Sequence, residues 1–176
     1  MKNLIYLVLG GMILFFAQAC QDKHAKNYNN RTDIDQDGVL FIKNGIEGGL
    51  TEIKASGMAI TNSNNQKVIG FAKMMIDDHT KAGDELLKIK GDKKLTEMDT
   101  IYSAHQQMIN ELSKKTGAAF DKAYMQMMVA DHEEAVKLFA TASKNPDSEI
   151  EGFASKTYPT IKMHLDSANA INSSLK

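Results

Sequence analysis

The chain contains few of the residue types that mark several other classes of protein. Its 176 residues include no tryptophan, two prolines and one cysteine. A single cysteine excludes an intrachain disulfide, and the shortage of proline removes much of the turn punctuation that is typical of an all-β protein. The 21 basic and 22 acidic residues nearly balance, and no basic run is interleaved with aromatic residues. We therefore expect no binding to nucleic acid.

The N-terminus has the pattern of a bacterial lipoprotein signal. A short basic start is followed by an apolar run over residues 4–16, which is too short to anchor the chain as a membrane-spanning helix. Ala17-Gln18-Ala19-Cys20 then resembles a lipobox, which implies cleavage before Cys20 and diacylglycerol on its sulfur. We predict a signal peptide over residues 1–19 and a lipid anchor at Cys20. The alternative is an ordinary secreted protein, cut after Ala19, whose thiol stays free.

The rest of the chain predicts an all-α domain behind a polar tether. Residues 20–37 carry no periodicity, and we interpret them as a lipidated flexible tether. Residues 38–174 show apolar positions at helical spacing, and eleven methionines and many alanines favour helix. This pattern predicts an antiparallel, up-and-down four-helix bundle with one extra short helix between bundle helices two and three.

Capping and breaking signals give approximate bounds for these helices. Helix one is expected over about residues 39–61, and the capping-box spacing of Ser63-Asn64-Asn65-Gln66 should start helix two, which ends at Gly91. A short helix should run from the cap at Thr96-Glu97-Met98-Asp99 to about Ser113. The third long helix should extend to about Lys144, and the last should start after Asn145-Pro146-Asp147 and be kinked at Pro159.

A short motif occurs twice in the long helices. Residues 74–82 and residues 127–135 share the pattern M-M-x-x-D-H-x-x-A, with a weaker echo at Met163-His164. Each copy puts an ionisable imidazole on an otherwise apolar face. One buried histidine is common in a helical protein, but histidines on three helices suggest that the rings meet.

The positions of these residues within their helices predict one shared layer. His79 and His132 lie near the middle of their helices, Glu52 near the middle of helix one, and His164 a little past the middle of the last helix. The midpoints of helices in an antiparallel bundle lie at similar heights. We therefore expect these four side chains to converge.

Five segments, in this order, resemble the domain of unknown function 4142 family. They are Gly48-Gly49-Leu50-Thr51-Glu52, Phe71-Ala72 to Asp78-His79, Gly117 to Tyr124, Asp131-His132, and Pro159-Thr160 to His164-Leu165. His105-Gln106 also falls where that family often carries such a pair. The resemblance covers about residues 39–171 and implies a ferritin-like helical bundle in the bacterial cell envelope, where members are often labelled outer membrane proteins. It implies no established activity.

The residues around the histidines limit the kind of metal site that they could form. A di-iron bundle needs Glu-x-x-His motifs, but Ile76, Val129 and Ile161 stand three residues before the histidines. A mononuclear site remains, and imidazole suits a single transition metal such as zinc, copper or iron. The candidate ligands are His79, His132, His164 and Glu52. The candidate partners that would orient them are Asp78 and Asp131, each on a neighbouring helix, and His105.

Methionines near these histidines allow a copper variant of the site. Met75 and Met128 lie one turn before His79 and His132. Thioethers together with imidazoles would suit Cu(I). The alternative is that both methionines only fill the core.

Two functions fit this sequence, and neither is clearly that of an enzyme. The first is a non-enzymatic envelope or stress-related module that acts through its surface and partners, with the histidines forming a structural polar layer. The second is a metal-binding or metal-buffering protein. In the structural reading each ring is satisfied by acceptors in the protein, whereas metal binding requires three ring nitrogens that face one point.

Overall fold

The computed structural model describes residues 34–175 and contains five α-helices in that range. They are α1 (Gln36–Asn62), α2 (Gln66–Asp92), α3 (Ser103–Leu112), α4 (Gly117–Ala142) and α5 (Ser148–Ser174). The predicted all-α bundle with one extra short helix is confirmed. The predicted signal peptide, the predicted lipid anchor at Cys20 and tether residues 20–33 lie outside the described residues.

Short polar side chains start three of the helices. The Asp35 carboxylate accepts a hydrogen bond from Gly38 N at 2.7 Å, so α1 begins at Gln36, one residue before the expected end of the tether. Asn65 caps α2 by accepting from Lys67 N at 3.0 Å. The predicted capping box is wrong about the capping residue, which is Asn65 and not Ser63. Ser63 directly follows α1, and its hydroxyl accepts a hydrogen bond from Asn65 N at 3.0 Å.

The helices pack as two hairpins with one long crossover. α1 packs on α2, α4 on α5, α1 on α4 and α2 on α5. The end of α2 meets the start of α5, because Lys93 pairs with Asp147. The end of α1 meets the start of α4, because Asn62 Nδ2 donates to the Lys115 carbonyl oxygen at 3.3 Å. The segment 93–116 therefore carries the chain from one end of the bundle to the other. The packed pairs are antiparallel, but α2 and α4 run parallel across the diagonal, so the simple up-and-down connection was wrong.

The crossover also moves the start of the short helix. α3 begins at Ser103, several residues after the predicted Thr96 to Asp99 cap. Lys90 Nζ donates to the Glu97 carbonyl and contacts the Asp99 carboxylate, and these contacts hold the segment extended along α2. Tertiary contacts thus outweigh the local capping signal.

A polar layer divides the core into two apolar clusters. The layer consists of Glu52, His79, His132 and His164. The first cluster includes Val68, Phe71, Met75, Ile109, Phe120, Tyr124, Met125 and Met128. The second includes Phe41, Ile42, Ile46, Leu86, Ile89, Phe139, Ile150, Phe153 and Ile161. α5 continues through Pro159 without interruption. Within residues 34–175, no helix is both long and apolar enough to cross a membrane.

Candidate metal centre

Three histidines from three helices meet in the polar layer. His79 of α2, His132 of α4 and His164 of α5 are buried, the last two completely. The ring centroids lie 5.7 Å apart between His79 and His132, 5.3 Å between His79 and His164, and 5.4 Å between His132 and His164. The heptad seams of α2 and α4 turn these rings inward, as the repeated motif predicts.

One ring nitrogen of each histidine has no hydrogen-bond partner within the described part of the chain. These atoms are His79 Nε2, His132 Nε2 and His164 Nδ1, and all three are inaccessible to solvent. One ligand nitrogen from each ring lies within 4.8 Å of the others. Leaving a buried polar atom unpaired costs on the order of 1–3 kcal/mol. A bound group that paired with these nitrogens would remove this cost.

The opposite nitrogens of two rings are bonded to protein acceptors. His132 Nδ1 lies 2.9 Å from the Met128 carbonyl oxygen, and His164 Nε2 lies 3.1 Å from Asp78 Oδ2. Each acceptor favours a proton on the nitrogen that faces it, and we assign the tautomers accordingly. The lone pairs of His132 Nε2 and His164 Nδ1 then face the space between the rings. Asp78 of α2 thus contacts a ring on a neighbouring helix, that of His164 on α5.

Glu52 of α1 closes the fourth side of the layer. Its Oε2 lies 2.9 Å from His79 Nε2 and its Oε1 lies 3.3 Å from His132 Nδ1. The His79 contact is an ion pair at hydrogen-bond distance, so the Glu52 carboxylate lies directly beside His79 Nε2. Glu52 thus touches two of the rings, although the group of mutually close ligand atoms contains the three histidines alone.

Burial and charge shift the pKa values of this layer in opposite directions. Burial alone would raise the pKa of Glu52, but the neighbouring His79 and His132 outweigh it and lower that pKa to about 2. Burial disfavours a charged His79, yet the Glu52 carboxylate outweighs it and raises the pKa of His79. Burial lowers the pKa of His164 despite its bond to Asp78. The layer therefore contains an ionised carboxylate beside His79, whose charged form it favours, together with His164, which favours its neutral form.

Asp131 and His105 form a separate outer group. Asp131 Oδ1 lies 3.9 Å from His105 Nε2, and its buried Oδ2 has no hydrogen-bond partner among the described residues. His105 Nδ1 donates to Glu47 Oε1 at 2.8 Å. Asp131 thus lies beside a ring of the neighbouring helix α3, His105, and has no hydrogen bond to a ring of the triad among the described residues. Burial and the Glu52 charge raise the pKa of Asp131 to about 7.

Sequence reasoning missed Glu47, a buried carboxylate of α1. It accepts from His105, from Tyr102 N at 2.9 Å and from Thr51 Oγ1 at 3.2 Å. The available signal was the four-residue spacing from Glu47 to Thr51 and Ala55, which places all three on the buried face of α1. Met75 and Met128, the candidate copper ligands, are fully buried and belong to the first apolar cluster.

Comparisons with known proteins agree with the helical fold. The model of the family described as a domain of unknown function, DUF4142, matches residues 16–171 of the chain. The chain belongs to the DUF4142 family. A crystal structure of a DUF305 fragment from Deinococcus radiodurans is similar to this DUF4142 chain, with a TM-score of 0.72 and 13% identity, over 81% of this chain and 99% of that one. This second likeness shows the fold alone. A comparison with curated proteins found no match.

The layer of this DUF4142 chain has the chemistry of a site that could hold a metal ion. Three nitrogens at most 4.8 Å apart lie at most about 2.8 Å from the point equidistant from them. Each would have to move inward by at most about 0.7 Å to reach an ordinary metal–imidazole bond length of about 2.0–2.1 Å. Small side-chain rotations achieve a movement of this size. Neutral imidazoles are the form that metals bind, and the pKa of His164 is lowered in that direction.

Proposed function

We propose that the protein binds one transition-metal ion through His79 Nε2, His132 Nε2 and His164 Nδ1. The observation that carries the proposal is that one ring nitrogen from each of these buried histidines lies within 4.8 Å of the others, while His132 Nε2 and His164 Nδ1 have no hydrogen-bond partner among the described residues. A structural histidine layer predicts that each ring is satisfied by acceptors in the protein. Here one side of two rings is satisfied and the side that faces the centre is open.

The donor set favours zinc, with copper and iron as the other ions that three imidazoles accept. Three histidines with an open fourth position are a common arrangement for zinc. Glu52, which contacts two of the rings, would compensate part of the positive charge of the ion. Asp78 would hold His164 in the metal-binding tautomer. The role that follows is binding or buffering of metal.

The test is the metal content of the untagged full chain. The protein is offered zinc, copper and iron separately, dialysed, and compared with a variant that carries His79→Ala, His132→Ala and His164→Ala. We expect about one metal ion per chain in the wild type and none in the variant. Metal at background level in both proteins would contradict the proposal.

A matched control separates the site from general histidine binding. His105→Ala removes an imidazole that lies outside the triad and contacts Glu47 instead. We expect this variant to keep the full metal content. Equal losses in His105→Ala and in the triple variant would show that the triad is not the site.

We also propose that the chain is a lipoprotein of the bacterial cell envelope, with its lipid attached to Cys20. The support is the sequence alone: an apolar run over residues 4–16 followed by Ala17-Gln18-Ala19-Cys20. Acyl chains on Cys20 would hold the domain at a membrane surface, and the outer membrane is the expected one. Mass spectrometry of the protein purified from membranes should find a diacylglyceryl group on Cys20, and Cys20→Ala should release the chain from membranes. An unmodified thiol in the wild type would contradict this assignment.

A further inference from the structure

A cavity of about 660 Å³ lies on one side of the histidine layer. Residues from α1, α2, α4 and α5 line it, with Tyr102 and His105 of the crossover segment. Its inner end reaches Glu52 and His79. Cavities that bind small organic molecules usually have volumes of about 300–1,000 Å³. The cavity is therefore large enough to hold a small organic molecule and not only a few water molecules.

The body of the cavity is apolar and partly aromatic. Phe41 lies 5.1 Å from Phe139 and 6.1 Å from Phe153 between ring centroids, and Phe139 lies 6.0 Å from Phe153. Leu86 and Ile161 extend this surface. An apolar or aromatic group placed here would exchange water for these side chains.

Acidic side chains outnumber lysines in the lining of the cavity. Glu47, Glu52 and Asp131 line its inner part, and Lys137 is the one lysine among the described lining residues. Lys137 Nζ already pairs with Glu134 at 2.7 Å at the exposed rim. The buried Oδ2 of Asp131 lacks a hydrogen-bond donor. A cationic group inside the cavity would compensate the charge of the carboxylates that line it.

We propose that this cavity binds a small amphiphilic organic cation, an alkylammonium or arylalkylammonium ion. Its apolar body packs on Phe41, Phe139 and Phe153, and its ammonium group donates to Asp131 and Glu47. The aromatic rings also favour a cation at their faces. The site uses carboxylates outside the histidine triad, so it does not rest on metal binding.

The test is calorimetric titration of the metal-free full chain with 4-phenylbutylamine. Two probes of the same carbon skeleton, neutral 4-phenyl-1-butanol and anionic 4-phenylbutanoate, serve as comparisons. We expect one amine per chain with a dissociation constant of about 0.1–1 mM, as is reasonable for a ligand of about eleven non-hydrogen atoms. Both comparison probes should bind at least tenfold more weakly. An amine that does not bind, or binds no better than the alcohol or the carboxylate, would overturn the proposal.

Two variants locate the binding within the cavity. Gly83 lines the cavity and a side chain there meets open space, so Gly83→Leu should fill part of it and weaken amine binding at least tenfold. Gly70→Leu, in the same helix and also in open space but away from the cavity, should leave binding unchanged. Asp131→Asn keeps the side-chain volume and should also weaken the amine at least tenfold, without affecting the alcohol. Wild-type amine affinity in Asp131→Asn would overturn the proposal, even if Gly83→Leu failed to fold.

Discussion

Asp78 is the residue that decides which nitrogen of His164 is available to a metal. The carboxylate can only accept, so it holds the proton on Nε2, 3.1 Å away, and leaves Nδ1 free. An asparagine in its place can donate to Nε2 and so favour the proton on Nδ1. We predict that Asp78→Asn lowers metal affinity by about 10- to 100-fold, measured by competition with a chelator of known affinity.

The neighbouring residue provides the control for this substitution. Asp77 is exposed on the same helix and carries the same charge. Asp77→Asn should leave metal affinity within about twofold of the wild type, since surface charges are largely screened. Equal losses in the two variants would point to a general charge effect and contradict the tautomer argument.

Asp131 should make the stability of the metal-free protein fall as the pH rises. Its folded pKa of about 7 exceeds the unfolded value of about 3.9, so the folded state binds the proton more tightly. Stability is therefore lost between about pH 4 and pH 7 as the buried carboxyl ionises. We predict that Asp131→Asn gains about 1–3 kcal/mol at pH 8 and little at pH 4, in urea unfolding at both pH values.

Exposed Asp84 offers the comparison for Asp131. Asp84→Asn changes the same charge on the solvent side of α2 and should produce no pH-dependent gain. A gain for Asp131→Asn that is equal at pH 4 and pH 8 would contradict ionisation as its cause.

At the residue scale, the sequence predicted the inward side chains better than their partners. His79, His132, His164 and Glu52 follow from position within each helix, and the structure brings them together. Glu47 was missed because its bond to His105 joins residues 58 positions apart, which no local pattern reports. Which ring Asp131 approaches was likewise not predictable, since the rotation of α4 relative to α3 brings its carboxylate to His105.

The Asp147 carboxylate both caps the N-terminus of α5 and forms an ion pair. Asp147 accepts from Glu149 N at 3.1 Å and from Ile150 N at 3.3 Å, and it pairs with Lys93. Partial burial opposes its charge, but the Lys93 ammonium outweighs this and lowers the pKa of Asp147. We predict that Asp147→Ala destabilises the protein by about 1–2 kcal/mol at pH 7, measured by urea unfolding.

Comparison with Lys93 separates the cap from the ion pair. Lys93→Met removes the pair and leaves the cap, so its cost at pH 7 should be the smaller one. Because the pKa of Asp147 is lowered on folding, its contribution is present above the unfolded pKa and is lost as the pH falls below about 3.9. A cost of Asp147→Ala that does not shrink in acid would contradict the role of its charge.

At the scale of helices, the periodic segments were predictable and the crossover was not. The bounds of α1, α2 and α4 differ from the predicted bounds by a few residues, because apolar spacing and Gly or Ser breaks define them locally. The predicted start of α3 was wrong because two side chains of other helices, Lys90 of α2 and Glu47 of α1, bind residues 97–102. The parallel arrangement of α2 and α4 depends on the path of residues 93–116 across the bundle, and no local pattern reports the direction of that path.

At the scale of the whole molecule, the polar layer interrupts a core that could have been continuous. Apolar clusters lie on both sides of it, and the cavity opens on the side of Phe41, Phe139 and Phe153. Burying four ionisable side chains is unfavourable unless they are paired or coordinate an ion. A bound metal would link α2, α4 and α5 at mid-height and would add to stability in proportion to the logarithm of its concentration.

The most direct test of the metal centre is X-ray absorption spectroscopy at the zinc edge of the zinc-loaded full chain. Our account predicts three imidazole nitrogens at about 2.0–2.1 Å around one zinc ion, with the multiple-scattering pattern of histidine rings. The triple variant with His79→Ala, His132→Ala and His164→Ala should lose this pattern. A wild-type spectrum with oxygen ligands alone, or an unchanged spectrum in the variant, would contradict the assignment of the triad as a metal site.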